Sequence, residues 1–204
     1  MVDKEKGRSR GPDKHSDPYA FRWYGGRLSV DFTATLGGRG LGAAEFDRLR
    51  TPQDLTRWCV EAGLCTPPAP AASPRVLAHA RQLREALHGA FTAPTAADLD
   101  TISTWSSRSL PGPRLTLAAT GRAALVPPEV RSIGDLLPHV ARDGADLLTG
   151  PYAHRVRECA APDCSLLYVD ESRPGRRRWC SMNTCGARAK MSDYRARRST
   201  PGRG

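Results

Sequence analysis

The sequence predicts an α+β protein: a mainly helical N-terminal domain with a small β-hairpin, then a small cysteine-pinned module of strand, loop and helix. Three observations predict this. Apolar residues recur at helical spacing over most of residues 27–149. One stretch, 114–126, alternates apolar and polar residues instead. Four of the six cysteines fall in the last quarter as two pairs, Cys159 with Cys164 and Cys180 with Cys185. Four residues separate the members of each pair and fifteen separate the pairs.

Residues 1–18 are polar and charged, and are expected to form a disordered basic tail. In the domain at 19–150, Leu28, Phe32 and Leu36 repeat at spacing four, which predicts a helix over 27–36. Gly37, Gly38 and Gly40 end it and place Arg39 on a loop. Thr51-Pro52 with Asp54 predicts the start of a helix running through Leu55, Trp58 and Cys59. After a proline-rich break, Arg75 to Phe91 carries the apolar stripe Val76, Leu83, Leu87 and Phe91, with Ala80 beside it. Thr95 and Asp98 read as a capped start for a helix with Leu99, Ile102 and Trp105 on one face. Thr120-Gly121 is the turn of the hairpin. Ser132 caps a helix that ends before Gly150-Pro151, the boundary with the last module.

In the module at 151–198, two short Cys–Cys loops across a fifteen-residue spacer are suited to a tetrahedral zinc site with four cysteine ligands. A structural zinc is the reading; an iron–sulfur cluster and disulfides are its rivals. Leu166–Val169 is β-prone, Asp170–Arg178 is a turn around Pro174-Gly175, and Trp179 is expected to pack against the metal. Ser181 is expected to cap a helix carrying Cys185, Arg188, Lys190 and Tyr194. Residues 199–204 form a second expected disordered tail.

The formal net charge is +10. Residues 155–204 hold twelve Arg or Lys and five Asp or Glu, so most of the excess sits there. Arg173, Arg176, Arg177 and Arg178 cluster at the turn, and Arg188, Lys190, Arg195, Arg197 and Arg198 follow along the helix. These nine are the candidate contacts to double-stranded DNA, with a solvated or protein-binding surface as the alternative. Four thiolates leave no open position on the metal, which argues against hydrolysis by it. No nucleophile elbow, phosphate-binding loop or dinucleotide fingerprint is present, and the chain reads as a non-enzyme. No apolar run approaches the roughly 18 residues of a membrane span, and residues 1–18 lack a secretory apolar core. A cytoplasmic location is expected.

The segment from Cys159 to Lys190 resembles the CGNR zinc finger of bacterial transcription regulators. The residues that carry this are the spaced cysteine pairs, Arg177, Trp179-Cys180-Ser181-Met182 and Cys185-Gly186-Ala187-Arg188-Ala189-Lys190. Ala187 stands where the family's name has Asn. Residues Val30-Asp31-Phe32-Thr33-Ala34-Thr35, the glycine loop with Arg39, and Thr51-Pro52 with Asp54-Leu55 resemble the ABATE domain that accompanies this finger, with Ala34 in place of another Asn. The resemblance implies a DNA-binding regulator whose N-terminal domain senses a ligand or stress. Asp31, Thr35 and Arg39 are the candidate lining of a ligand pocket. The alternative is a zinc-stabilised module docking on RNA polymerase or a sigma factor, and a homodimer is compatible with either reading.

Overall fold

The structure is a computed structural model that describes residues 17, 19–42, 45–110, 112, 114–126 and 129–199. The two expected tails lie almost wholly outside the described residues. In chain order the elements are α1 (Leu28–Thr33), β1 (Leu36–Gly37), β2 (Phe46–Asp47), α2 (Pro52–Glu61), α3 (Pro74–Thr92), α4 (Ala96–Ser106), β3 (Arg114–Leu117), β4 (Ala123–Val126), α5 (Leu137–Thr149), β5 (Val156–Glu158), β6 (Leu167–Val169) and α6 (Ala187–Ser199). The strands form three antiparallel pairs, β1 with β2, β3 with β4 and β5 with β6.

Local chemistry sets the helix starts. Thr51 and Asp54 exchange side-chain and backbone hydrogen bonds at the head of α2, and Thr95 and Asp98 do the same for α4. Ser132 and Asp135 form a third such box, on a 3-10 turn over Ile133–Leu136 that leads into α5. Each box satisfies N–H groups the helix itself leaves unpaired, a contribution of about 1 kcal/mol. Asp143 of α5 serves the head of α1, accepting from Ser29 N (2.8 Å), Ser29 Oγ (2.5 Å) and Arg27 Nε (2.8 Å).

The core gathers Phe32, Trp58, Leu83, Leu87 and Leu137, all fully buried. α3 and α5 approach so closely at Gly144 that a Cβ there would sit 2.3 Å from Leu87 Cδ2. The β3–β4 hairpin lies at the expected place with Leu115 opposite Leu125. Its leucines are exposed, at 64–79%.

The first helix is shorter than its periodicity suggests. Thr33 and Thr35 turn their hydroxyls back to the carbonyls of Val30 and Phe32, and Leu36 pairs with Asp47 across β1–β2. Strand pairing with a distant segment overrides the helical register. On α4, Ile102 and Trp105 are buried as expected, but Leu99 is 45% exposed.

Two arginines are buried in this domain, Arg48 and Arg84, each 3% exposed. Arg84 grips Asp47 with both NH groups, at 2.7 and 2.9 Å, and donates from Nε to Glu85 at 2.8 Å. Burial disfavours the Arg84 charge, but Asp47 and Glu85 outweigh it and its pKa is raised.

Asp31 behaves differently. Burial, with the Asp143 charge adding to it, pushes its carboxyl up to about 6 against the Gly25 N–H it accepts. A raised carboxyl holds its proton more tightly folded than unfolded. The penalty for ionising it is absent below the unfolded value near 4, grows as pH rises, and is complete above about 6. Asp31→Asn keeps an oxygen for Gly25 N and removes the charge. It is expected to stabilise the protein by about 2 kcal/mol at pH 7.5, with the gain level down to about pH 6 and shrinking below it toward pH 5. Parallel thermal melts of both proteins across that range check it; a gain independent of pH contradicts the assignment.

The C-terminal module shares a core with the helical domain. Leu167 and Val169 of β6 pack with Val30 and Leu147, and Val169 N donates to Gly25 O at 2.8 Å. Ala34 lies in the same buried cluster as Cys159, Cys180 and Cys185.

Candidate metal centre and basic face

The cysteines come from three pieces of local structure. Cys159 follows β5, and its N–H donates to Leu166 O at 3.0 Å. Cys164 closes the first loop, with its N–H on Ala161 O at 3.0 Å. Cys180 lies just before a π-helical turn, Met182–Gly186, that runs into α6, and Cys185 lies within that turn. Ser181 sits at its head as expected but makes no side-chain cap bond. β5 was not legible in the sequence; it pairs Val156 with Val169 and makes the first loop part of a hairpin.

The four Sγ atoms lie within 4.8 Å of one another, with Cys164–Cys180 at 3.8 Å and Cys180–Cys185 at 3.6 Å. A tetrahedron with zinc–sulfur bonds of about 2.3 Å has edges of about 3.8 Å. A disulfide needs sulfurs about 2.05 Å apart, and all four cysteines are free. Thiol–thiol hydrogen bonds lower Cys159 to about 6 and depress Cys185, and they raise Cys164 and Cys180. Four sulfurs this close cannot all carry charge without a cation among them, and a dication answers that need. Cys180 N donates to Cys159 Sγ (3.3 Å) and Arg188 NH2 to Cys185 Sγ (3.2 Å), so the surroundings favour thiolate. The donor set and geometry are those of one structural zinc ion.

The turn after β6 is held by Asp170, which is fully buried. Its carboxylate accepts from Ser172 Oγ (2.6 Å), Ser172 N (3.0 Å) and Arg177 N (3.0 Å), which hold it below the usual carboxylate range. Gly175 at the tip has φ +61, the left-handed region that glycine adopts without strain.

The candidate cations divide. Arg173, Arg176 and Arg178 are exposed on the turn, with Arg178 over the Trp179 ring at 4.8 Å. Lys190, Arg195 and Arg197 are exposed on α6, which also carries Arg198. Arg173, Arg176, Lys190 and Arg197 have no carboxylate within 4.0 Å among the described residues. Arg188 is paired with Asp163 as well as Cys185. Arg177 turns inward: it stacks on Tyr168 and donates to the carbonyls of Trp179, Cys180 and Tyr24. It is a brace between the metal loop and the helical domain, set apart from the outward-facing arginines.

Asp31, Thr35 and Arg39 each engage a different part of the protein. Asp31 accepts from Gly25, Thr35 donates to Phe32 O and accepts from Arg84, and Arg39 pairs with Glu85. A cleft of about 520 Å³ opens nearby between the two modules, lined by other residues. The arginines that the sequence pattern did not single out are Arg48 and Arg84. Arg84 did carry a signal: it stands four residues after Ala80 and three before Leu87, inside the apolar stripe of α3.

With this geometry in hand, comparison with known families is decisive. The ABATE profile, described as "Putative stress-induced transcription regulator", matches residues 26–151, and the CGNR zinc-finger profile matches 155–198. The chain belongs to the ABATE family. Its finger is a CGNR finger, in the expected order along the chain. No curated protein matches it. Ala187, the departure from the finger's signature, lines the cleft, and Ala34, the departure in α1, is buried beside the cysteines. The family assignment describes a regulatory zinc-finger protein. Among the described residues no helix is long and apolar enough to cross a membrane.

Proposed function

We propose that this ABATE protein is a transcription regulator that binds double-stranded DNA through its CGNR finger. One observation carries the reading: a metal-pinned module presents an arginine turn and a cationic helix, and four of these cations have no acidic partner among the described residues. Unpaired guanidinium and ammonium groups on a rigid support suit phosphate contact, and an exposed helix suits a major groove. The helical domain sets the placement of the finger through their shared core. Location in the cytoplasm and the absence of enzymatic activity follow from this reading.

Binding to genomic fragments, measured by fluorescence anisotropy over a salt series, tests it. Affinity is expected to fall steeply with salt. Replacing Arg173, Arg176 and Arg178 together with Ala is expected to weaken binding about tenfold or more and flatten the salt slope by about two to three counterions. Arg177→Ala is expected to lower the melting temperature first. Binding absent at low salt, or indifferent to salt, defeats the proposal.

A second reading, docking on RNA polymerase or a sigma factor, is favoured by Met182, Met191 and Tyr194, each more than half exposed on the finger and α6. A protein retained by the immobilised chain from nuclease-treated lysate, and lost on Met191→Ala with Tyr194→Ala, supports it.

A further inference from the structure

The cleft between the modules has the makings of a ligand site. One wall comes from residues 22–48 and the other from residues 163–188, so an occupant touches both modules at once. Its volume, about 520 Å³, is that of a site for a small organic molecule. Tyr24, Leu41, Phe46 and Leu166 give it apolar surface.

Arg22, Arg48 and Arg188 line the cleft together with one carboxylate, Asp163, and the metal-site cysteines Cys164, Cys180 and Cys185; Arg188 is taken by Asp163 and Cys185. Arg48 is the unusual member. It is 3% exposed and rests on the Phe46 ring at 4.5 Å. Its Nε and NH1 donate to the carbonyls of Ala20 and Ala34 at 2.9 and 2.7 Å. No carboxylate lies within 4.0 Å of it among the described residues, because the neighbouring Asp47 is given to Arg84 and Arg81. Burial, then the charge of Arg22, pull the Arg48 pKa down to about 10. A buried cation with neutral partners is costly, and an anion arriving beside it relieves that cost. Thr184 Oγ1, also on the cleft wall, is buried with no hydrogen-bond partner among the described residues.

We propose that the cleft binds a small organic anion, a carboxylate on a flat apolar body, with its charge held at Arg48 and its body against Tyr24 and Phe46. Inorganic phosphate fits less well, since it leaves the apolar walls uncovered. That such a ligand tunes DNA binding rests on the regulator reading above; the binding itself does not.

The test uses the full zinc-loaded chain, without DNA, and 2-naphthoate as probe, with 2-naphthamide and inorganic phosphate as comparisons. Calorimetry is expected to show saturable one-to-one binding of naphthoate, at least about tenfold tighter than naphthamide. In cadmium-substituted protein the ¹¹³Cd resonance is expected to shift on binding, because Cys164, Cys180 and Cys185 line the same cleft. Leu41→Trp, which fills the cleft, is expected to abolish binding. Arg48→Met is expected to remove the preference for naphthoate over naphthamide, and Arg48→Lys to retain it. Should Arg48→Met fail to fold, Leu41→Trp and the naphthoate-to-naphthamide ratio decide the matter. Equal binding of the two probes, binding untouched by Leu41→Trp, binding of phosphate alone, or no binding at millimolar naphthoate each overturns the proposal. A protein that binds naphthoate but no DNA keeps the site and loses the regulator reading.

Discussion

Cys180→Ser is expected to remove the metal and unfold residues 155–198. Cys180 Sγ lies 3.8 Å from Cys164 and 3.6 Å from Cys185, so its loss removes one vertex of the ligand tetrahedron and the three edges that meet there. Structural zinc contributes about 10–16 kcal/mol in small finger peptides at neutral pH, more than a module this size draws from its own core. The damage is expected to travel. Val30 and Leu147 pack against Leu167 and Val169, and Ala34 packs with the cysteines, so unfolding the finger uncovers apolar surface on α1 and α5. Elemental analysis is expected to give about one zinc per parent chain and almost none in the variant. The parent treated with a strong chelator is expected to show the same loss of ellipticity. Cys65→Ser is the control, because Cys65 lies away from the metal site, beside the main core. Zinc retained at full stoichiometry in Cys180→Ser refutes the coordination described here.

Arg84→Met is expected to lower stability by about 3–5 kcal/mol, and the melting temperature by about 10 °C. The Arg84 side chain is 4% exposed and Asp47 only 24%. Removing the guanidinium leaves the Asp47 carboxylate with Arg81 alone, at 3.4 Å, and frees Glu85 from one of its two arginines. Asp47→Asn alone is expected to harm less, since Arg84 keeps Glu85. The double variant is expected to fall short of the sum of the singles by more than about 1 kcal/mol. Additive losses in chemical denaturation show that the pair is not coupled.

What the sequence revealed and what it hid divide by range of interaction. The boxes Thr51 with Asp54 and Thr95 with Asp98 were legible because every partner lies within four residues. The metal ligands were legible because zinc imposes its spacing on the chain. Strand β5 was not: Val156-Arg157-Glu158 shows no alternation worth the name, and becomes a strand because Leu167–Val169 lies beside it. Leu36 was drawn into a helix by its spacing, whereas Asp47, eleven residues later, pairs with it in a sheet. The run Arg176-Arg177-Arg178 looks uniform in sequence; only the fold turns the middle guanidinium inward, onto Tyr24, Trp179 and Cys180. The cleft was out of reach for the same reason, since its walls are more than a hundred residues apart.

The last helix has one further consequence. α6 is thirteen residues long, and almost all of it, from Ala187 to Arg197, is open to solvent. Its first turn is tied to the metal loop, where Arg188 bonds Cys185 and Asp163. That base is a fulcrum beside the ion for a helix about 20 Å long. A tilt of about 10° at the fulcrum sweeps the tip by about 3.5 Å, roughly the rise of one base pair. Whatever presses on the loop at Asn183 and Thr184 is amplified at Arg195 and Arg197.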